Sequence, residues 1–435
     1  MQVRMKHRQP TLALCVSVAT TAALGLAGSV TATSSAAGPE PTSRDARQGV
    51  VLNAGAPGAI PGRYVVGLDG RTSLARSATA LVRDDAASLV DRYGGRVGYV
   101  YSAALRGFSV RMSPAQAKRL AADPAVDFVQ QSLWVRSTTL EGSAARDLRD
   151  QPNPPSWGLD QVDGAIDDVY TYPNAGGGVT VYNTDTELNL DHRSFEGRAK
   201  SGHDFVDDDN DVNDCKGNLA IGHGTHTGGT SSGQAYGVAK NATIVGVKVL
   251  GCFGSAPDAV AIQGIDWVTQ HAQKPAVANA SWSSGGDGAD PVGINQAIRN
   301  SIDAGITWVV AAGNENQDAC NTSPAGVPRA ITVAATRADH SEASFSNHGQ
   351  CVDLYAPGTN ITSASNSDNN GTKLMSGTSM AAPHVTGAAA IYLSTHRAAS
   401  PEQVRNAIVE AARDGFVRDI GPGSPNKFLD VSGLG

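Results

Sequence analysis

Apolar and polar positions follow two regimes along this chain, and the change between them near residue 157 divides it. Between residues 63 and 137 the pattern is short and mixed. Residues 64–68 are strand-like, 84–93 helix-like, and 97–101 and 107–112 strand-like. A helix opened by Ser113-Pro114 runs to 122, and 126–131 is again strand-like. Serine followed by proline suits a helix start, because serine caps free backbone N–H groups and proline has none to leave unpaired. The order βαββαβ predicts a small α+β domain of the ferredoxin-like, split βαβ kind. From residue 157 onward, short apolar runs suited to buried strands recur at 179–182, 243–249, 276–280, 307–311 and 331–335. Helical patterns lie at 225–233, 258–272 and 295–304, and a small, apolar helical run spans 380–396. Buried strands alternating with helices predict an α/β fold with a doubly wound, mostly parallel sheet.

The stretches outside these patterns have their own character. Arg4, Lys6 and Arg8 precede an alanine- and threonine-diluted apolar run at 11–30 and then small residues, so 1–36 is expected to be a secretory signal. No stable membrane association is expected. Residues 37–62 are rich in proline, glycine and serine and read as a linker. Residues 138–156 are polar and unpatterned, a linker open to processing.

Composition adds two points. Residues 1–140 carry 16 Lys+Arg against 8 Asp+Glu, a balance of +8, and residues 141–435 carry 18 against 33, a balance of −15, which sum to the whole chain's −7. Such opposed segments suggest parts built to meet each other, and no nucleic-acid partner is expected. Of five cysteines, Cys15 falls in the signal. Cys215, Cys252, Cys320 and Cys351 remain, an even number that predicts two disulfides with three possible connectivities in an exported protein.

The chemistry gathers near the ends of predicted elements. Asp185 follows the 179–182 strand, His223 opens a helix within Gly222-His223-Gly224-Thr225-His226, and Ser379 opens the apolar helix within Gly377-Thr378-Ser379-Met380-Ala381. In open α/β sheets, sites collect at the carboxyl ends of strands, where the next helices begin. A serine nucleophile needs a base, and the base needs a carboxylate that holds its tautomer. Asn314, after Ala311-Ala312-Gly313, could donate to the oxyanion together with the Ser379 backbone N–H. His226 and His384 read as structural.

The glycine-flanked order Asp185, His223, Asn314, Ser379 resembles the subtilisin-like serine proteases (subtilases), on the proteinase K and aqualysin side of that family. Tyr236-Gly237-Val238-Ala239, Lys248-Val249-Leu250 and Ser344-Phe345-Ser346-Asn347 carry the same resemblance. It covers 157–435, and 63–137 is similar to the inhibitory propeptide of the family, including Arg106-Gly107-Phe108-Ser109. The resemblance implies a secreted, monomeric serine endopeptidase that cleaves proteins and peptides, with Asp185, His223 and Ser379 as triad and Asn314 as oxyanion donor. It implies autoprocessing between residues 137 and 152, with the propeptide as an inhibitory partner. It pairs Cys215 with Cys252 and Cys320 with Cys351, and puts a structural calcium on Asp353 and the carbonyls of Pro328 and Ala330. The substrate strand would lie between Gly254-Ser255-Ala256 and Ser281-Trp282-Ser283. Asp258 would stand at the pocket for the fourth residue before the cut, where it would favour basic side chains. The alternative is that Asp258 only caps the helix it opens. Glu187 stands where the family usually has glycine, and Ser283 and Ser284 replace glycines beside the pocket for the residue preceding the cut, which should narrow it. A catalytically silent relative acting as a binding protein is the competing reading.

Overall fold

The structure is a computed structural model, described for residues 49–69, 78–139, 154–215, 221–285 and 289–435. The expected signal lies outside the described residues. The first elements are β1 (Val51–Leu52), β2 (Ala59–Leu68), α1 (Ala78–Tyr93), β3 (Arg96–Tyr101), β4 (Gly107–Arg111), α2 (Pro114–Leu120) and β5 (Val126–Ser137). Strand β2 pairs antiparallel with β4 and β5, and β4 with β3, which gives the expected βαββαβ sheet. Ser113 and Gln116 form a capping box at the start of α2. Structure begins inside the stretch read as linker, since β1 pairs parallel with β5 and β2 starts at Ala59.

The larger part opens with α3 (Trp157–Gln161), β6 (Thr180–Asp185), β7 (Ala199–Asp204), α4 (His223–Ser232), β8 (Thr243–Lys248) and β9 (Ser255–Pro257). It continues through α5 (Asp258–His271), β10 (Ala276–Ala280), β11 (Trp282–Gly285), α6 (Val292–Asp303), β12 (Thr307–Ala311), β13 (Thr322–Ser323), β14 (Ile331–Thr336) and β15 (Leu354–Pro357). The hairpin β16 (Ile361–Ala364) and β17 (Thr372–Met375), then α7 (Thr378–Thr395), α8 (Pro401–Ala411), β18 (Arg413–Asp414) and β19 (Lys427–Phe428) complete it. The main sheet has the order β18-β19-β15-β14-β12-β10-β6-β8-β7. Its pairs are parallel from β19 to β7, with β18 antiparallel at the edge.

Apolar side chains fill both faces of this sheet. On one, Ala381, Val385 and Ala388 of α7 pack with Val181, Val309 and Val333. On the other, Ile262 and Ile265 of α5 and Ile298 of α6 pack with Ala278 and Val310. The small residues of α7 allow close approach: a Cβ on Gly387 would lie 2.6 Å from Val238 Cβ. Strand order reverses at β6, with β8 and β7 to one side and β10, β12 and β14 to the other. The loops at the carboxyl ends of β6 and β10 therefore diverge and leave a crevice.

The first sheet is buried on both faces too. Tyr64, Val66, Phe108 and Val129 lie in a core with Val82, Leu89 and Leu120 of its own helices. Val65 and Phe128, on the opposite face, join Ala261, Ile262 and Ile294 of the larger part. Side chains alternate across a strand, so the unbroken apolar run at 64–66 reflects two-sided burial. Strand β5 runs to Ser137, past the expected end at 131, because its last residues are paired in the crevice. Disulfides join Cys215 to Cys252 and Cys320 to Cys351, the pairing the resemblance implies.

Candidate active site

Asp185 ends β6, His223 begins α4 and Ser379 is the second residue of α7, so three strand-to-helix junctions meet in the crevice. Gly222, at φ 70°, turns the chain into α4, and a Cβ there would meet Asn366 Oδ1 at 2.4 Å. Asp185 and His223 are fully buried, and His223 Nδ1 lies 2.6 Å from Asp185 Oδ1. Asp185 Oδ1 also accepts from Thr186 N (2.7 Å), and Oδ2 accepts from Thr227 Oγ1 (3.0 Å). These bonds fix the carboxylate against the ring, and His223 Nε2 is buried without a hydrogen-bond partner.

One carbonyl occupies the focus of the site. Thr138 O accepts from Asn314 Nδ2 (2.7 Å) and Ser379 N (3.4 Å), and it is in close contact with Ser379 Oγ. Asn314 cannot flip, because its Oδ1 accepts from Thr378 N and Thr378 Oγ1, both at 2.9 Å. Gly377 is required by space: a Cβ there would lie 2.3 Å from Thr138 O and fill the carbonyl's place. Ser281 supports the same corner, its Oγ donating to Ser379 O (2.9 Å) while its carbonyl accepts from Thr138 N (3.3 Å).

The chain leading to Thr138 is held as an extended strand between two others. Val135 and Arg136 pair antiparallel with Ala256 and Ser255 of β9, and Ser137 and Arg136 with Trp282 and Ser283 of β11. Ser137 N donates to Gly254 O (2.8 Å). The residues expected to clamp substrate thus do line one strand of this chain, an instance of strand addition. A cavity of about 580 Å³ opens beside Thr138 and Thr139, lined by Ser283, Ser284, Asn314 and Glu315 among others.

Asp258 is buried in the precursor. Counting back from Thr138, the fourth residue is Val135, fully buried in an apolar cluster with Ala256 and Trp282. Asp258 follows Pro257, which pairs with Trp134 of β5. It lies in the first turn of α5, fully buried, and its Oδ2 accepts from Gln130 Nε2 (2.8 Å). Burial pushes its carboxyl up to about 6, against hydrogen bonds that lower it. The side chains around Val135 named here are apolar, and the Asp258 carboxylate is turned to Gln130. Glu187 is also fully buried, and desolvation pushes it up to about 8, so it is a neutral acid at pH 7. His226 and His384 are structural as expected, pushed by burial down to about 3 and about 4 and bonded to the carbonyls of Ile361 and Met380.

The metal expectation at Asp353 does not fit the residues as they stand. Asp353 Oδ1 is ion-paired with Arg405 Nη2, and Oδ2 accepts from Thr332 N (2.8 Å), so a calcium ion at Pro328 and Ala330 would have to displace a guanidinium. Asp204, Asp207 and Asp214 form a group that could hold a metal. Lys248 already stands among them, 2.6, 3.0 and 2.6 Å from their oxygens. Burial would lower that ammonium, but the three carboxylates outweigh it and keep it charged. The other group, Asp214 with Cys215 and Cys252, offers disulfide sulfurs in place of thiolates.

Sequence reasoning missed Thr227, Gln130 and the identity of the bound bond. Thr227 carried a signal, since it stands one turn after His223 on the same helix, within reach of the acid. Gln130 carried none.

Residues 176–428 match the subtilase family, and residues 63–137 match the peptidase inhibitor I9 family. The chain is 40% identical to an extracellular serine proteinase of Thermus sp. (strain Rt41A), over 91% of this chain and 95% of that one. It is 42% identical to alkaline serine exoprotease A of Vibrio alginolyticus, over 85% of this chain and 67% of that one. The crystal structure of a cold-adapted subtilisin-like serine proteinase superposes with a TM-score of 0.60 at 45% identity, covering 63% of this chain and 97% of that one. Fervidolysin from Fervidobacterium pennivorans, at 22% identity and a TM-score of 0.66 over 86% of this chain and 61% of that one, shares the fold.

Proposed function

Because the chain belongs to the subtilase family, we propose that Ser379 is its nucleophile, His223 its general base and Asp185 the carboxylate that orients the base. The protein is a subtilisin-like serine endopeptidase made as a precursor with its own inhibitory segment. In this reading Ser379 Oγ attacks a peptide carbonyl carbon and passes its proton to His223 Nε2. The carbonyl oxygen takes the negative charge between Asn314 Nδ2 and Ser379 N. His223 returns the proton to the leaving amine, and water, activated by the same ring, releases the acyl group.

The observation that carries the reading is Thr138 O, met at once by the hydroxyl and both oxyanion donors. It makes Thr138–Thr139 the first bond cut, within the expected window of 137 to 152. Ser379→Ala should accumulate as full-length precursor and lose several orders of magnitude in casein hydrolysis. Wild-type mature protein should begin at Thr139 on N-terminal sequencing. Normal maturation of Ser379→Ala in a protease-free host would refute the assignment.

Secretion and monomeric action complete the reading. A relative from Thermus is named extracellular, and two disulfides suit an oxidising compartment. Among the described residues no helix is long and apolar enough to cross a membrane. For calcium, the carboxylates of Asp204, Asp207 and Asp214 have the oxygen chemistry it takes but already hold Lys248, and the Asp353 site requires Arg405 to leave.

A further inference from the structure

The segment upstream of the matched inhibitor region is not a passive tether. Strand β1 spans two residues, and its two side chains face opposite ways. Val51 packs against the propeptide core with Val66 and Leu89, while Leu52, paired with Gln130, packs against the cluster of the catalytic part that holds Ile262 and Ile294. Gly49 N donates to Ala121 O (2.7 Å), fixing the start of the segment to the propeptide.

Beyond Leu52 the chain crosses to the catalytic part. Asn53 Nδ2 donates to Asp290 O (2.7 Å), and Asp290 N donates to Asn53 Oδ1 (3.0 Å). The side-chain amide thus acts as a peptide group would, in a reciprocal pair with the backbone just ahead of α6. Asn53 sits at φ 56°, a left-handed turn position that asparagine tolerates better than most residues. The chain then returns: Gly55 N donates to Gln131 Oε1 (3.1 Å), and Gly58 O accepts from Trp134 N (3.3 Å), close to the bond that lies at Ser379.

We infer that residues 49–58 form a strap that holds the cleaved propeptide on the enzyme by binding the backbone at Asp290, independently of the cleft. Cutting Thr138–Thr139 leaves the tail of β5 between β9 and β11, where it competes with substrate. The Asn53–Asp290 contact lies outside that groove, so substrate does not displace it. Escape of the propeptide then requires breaking the Asn53 pair and exposing Leu52 as well. This rests on the catalytic assignment above.

The test uses the full chain carrying Asn53→Ala or Leu52→Ala, at fixed pH and salt. Gels give the rate of processing, and a peptide substrate gives the lag before activity appears. Asn53→Ala should process at an unchanged rate and shorten the lag by about five- to a hundredfold, the effect of two ordinary hydrogen bonds. Leu52→Ala should shorten it further. Normal processing with an unchanged lag in Asn53→Ala would overturn the strap. If Leu52→Ala fails to fold, Asn53→Ala alone decides. Failure of the catalytic assignment would show separately, as a processed Ser379→Ala chain.

Discussion

Asp258 makes the grip of the propeptide depend on pH. In the precursor it is fully buried beneath Gln130, with one carboxylate oxygen bonded to that amide and Oδ1 without a partner. Gln130 is equally buried, its Oε1 taken by Gly293 N (3.0 Å), so it cannot turn to offer more. Tyr101, whose hydroxyl donates to Ala259 O, is the nearby titratable group and stays neutral. Once the propeptide leaves, Asp258 faces water and returns to its ordinary value near 3.8. The complex therefore favours the protonated acid. The contribution of Asp258 to the grip is complete below pH 4 and is lost as pH rises through about 6. A change from 3.8 to about 6 corresponds to about 3 kcal/mol, or roughly a hundredfold in dissociation constant. Asp266, bonded to the amides of Ser102, Ala103 and Ala104 and raised by burial, acts in the same direction.

The assay is a pH jump on the processed complex. Aliquots are returned to one common pH and labelled with a serine-directed fluorophosphonate, which counts freed active sites without reading turnover. Release should be about thirtyfold more favourable at pH 8 than at pH 4.5, where part of the full effect is already lost. Asp258→Asn, which cannot ionise, should hold the propeptide about as well at both pH values apart from the smaller Asp266 contribution. An equal pH slope in the wild type and in Asp258→Asn would refute the reasoning.

Three further outcomes are expected. Val135→Lys places an ammonium in the apolar fourth pocket and should slow processing by about a hundredfold, whereas Val135→Ile should process normally; rapid processing of the lysine variant on a gel would return the pocket to a polar reading. Glu187 has a raised value in the fold, so its contribution to stability is present below pH 4.5 and lost as pH rises through about 8; melting curves at pH 9.5 should show Glu187→Gln more stable than wild type, and the reverse would mean the carboxylate finds a partner on ionising. Arg405→Met should lower the Tm by several degrees and make it respond to millimolar calcium, which would reach the vacated Asp353 carboxylate; an equal calcium response in wild type would mean that ion and guanidinium do not compete.

What the sequence by itself determined is local. Strand and helix periodicity placed the βαββαβ unit and the five buried strands around 179–335. The capping signal at Ser113-Pro114 placed α2, and the glycine-flanked motifs picked out Asp185, His223, Asn314 and Ser379. Each of these depends on a handful of adjacent residues whose backbone conformation or chemistry admits few alternatives. The tertiary structure decided whatever depends on partners far along the chain. Strand β5 continues to Ser137 because β9 and β11, more than 100 residues away, complete its hydrogen bonds. Asp258 is held by Gln130 instead of facing a substrate, since exclusion of water by the propeptide is invisible in the local pattern around either residue. Arg405 on Asp353 and Lys248 among three aspartates follow the same rule. A carboxylate announces that it needs a cation, and only the fold says whether a metal or a side chain of the same chain supplies it.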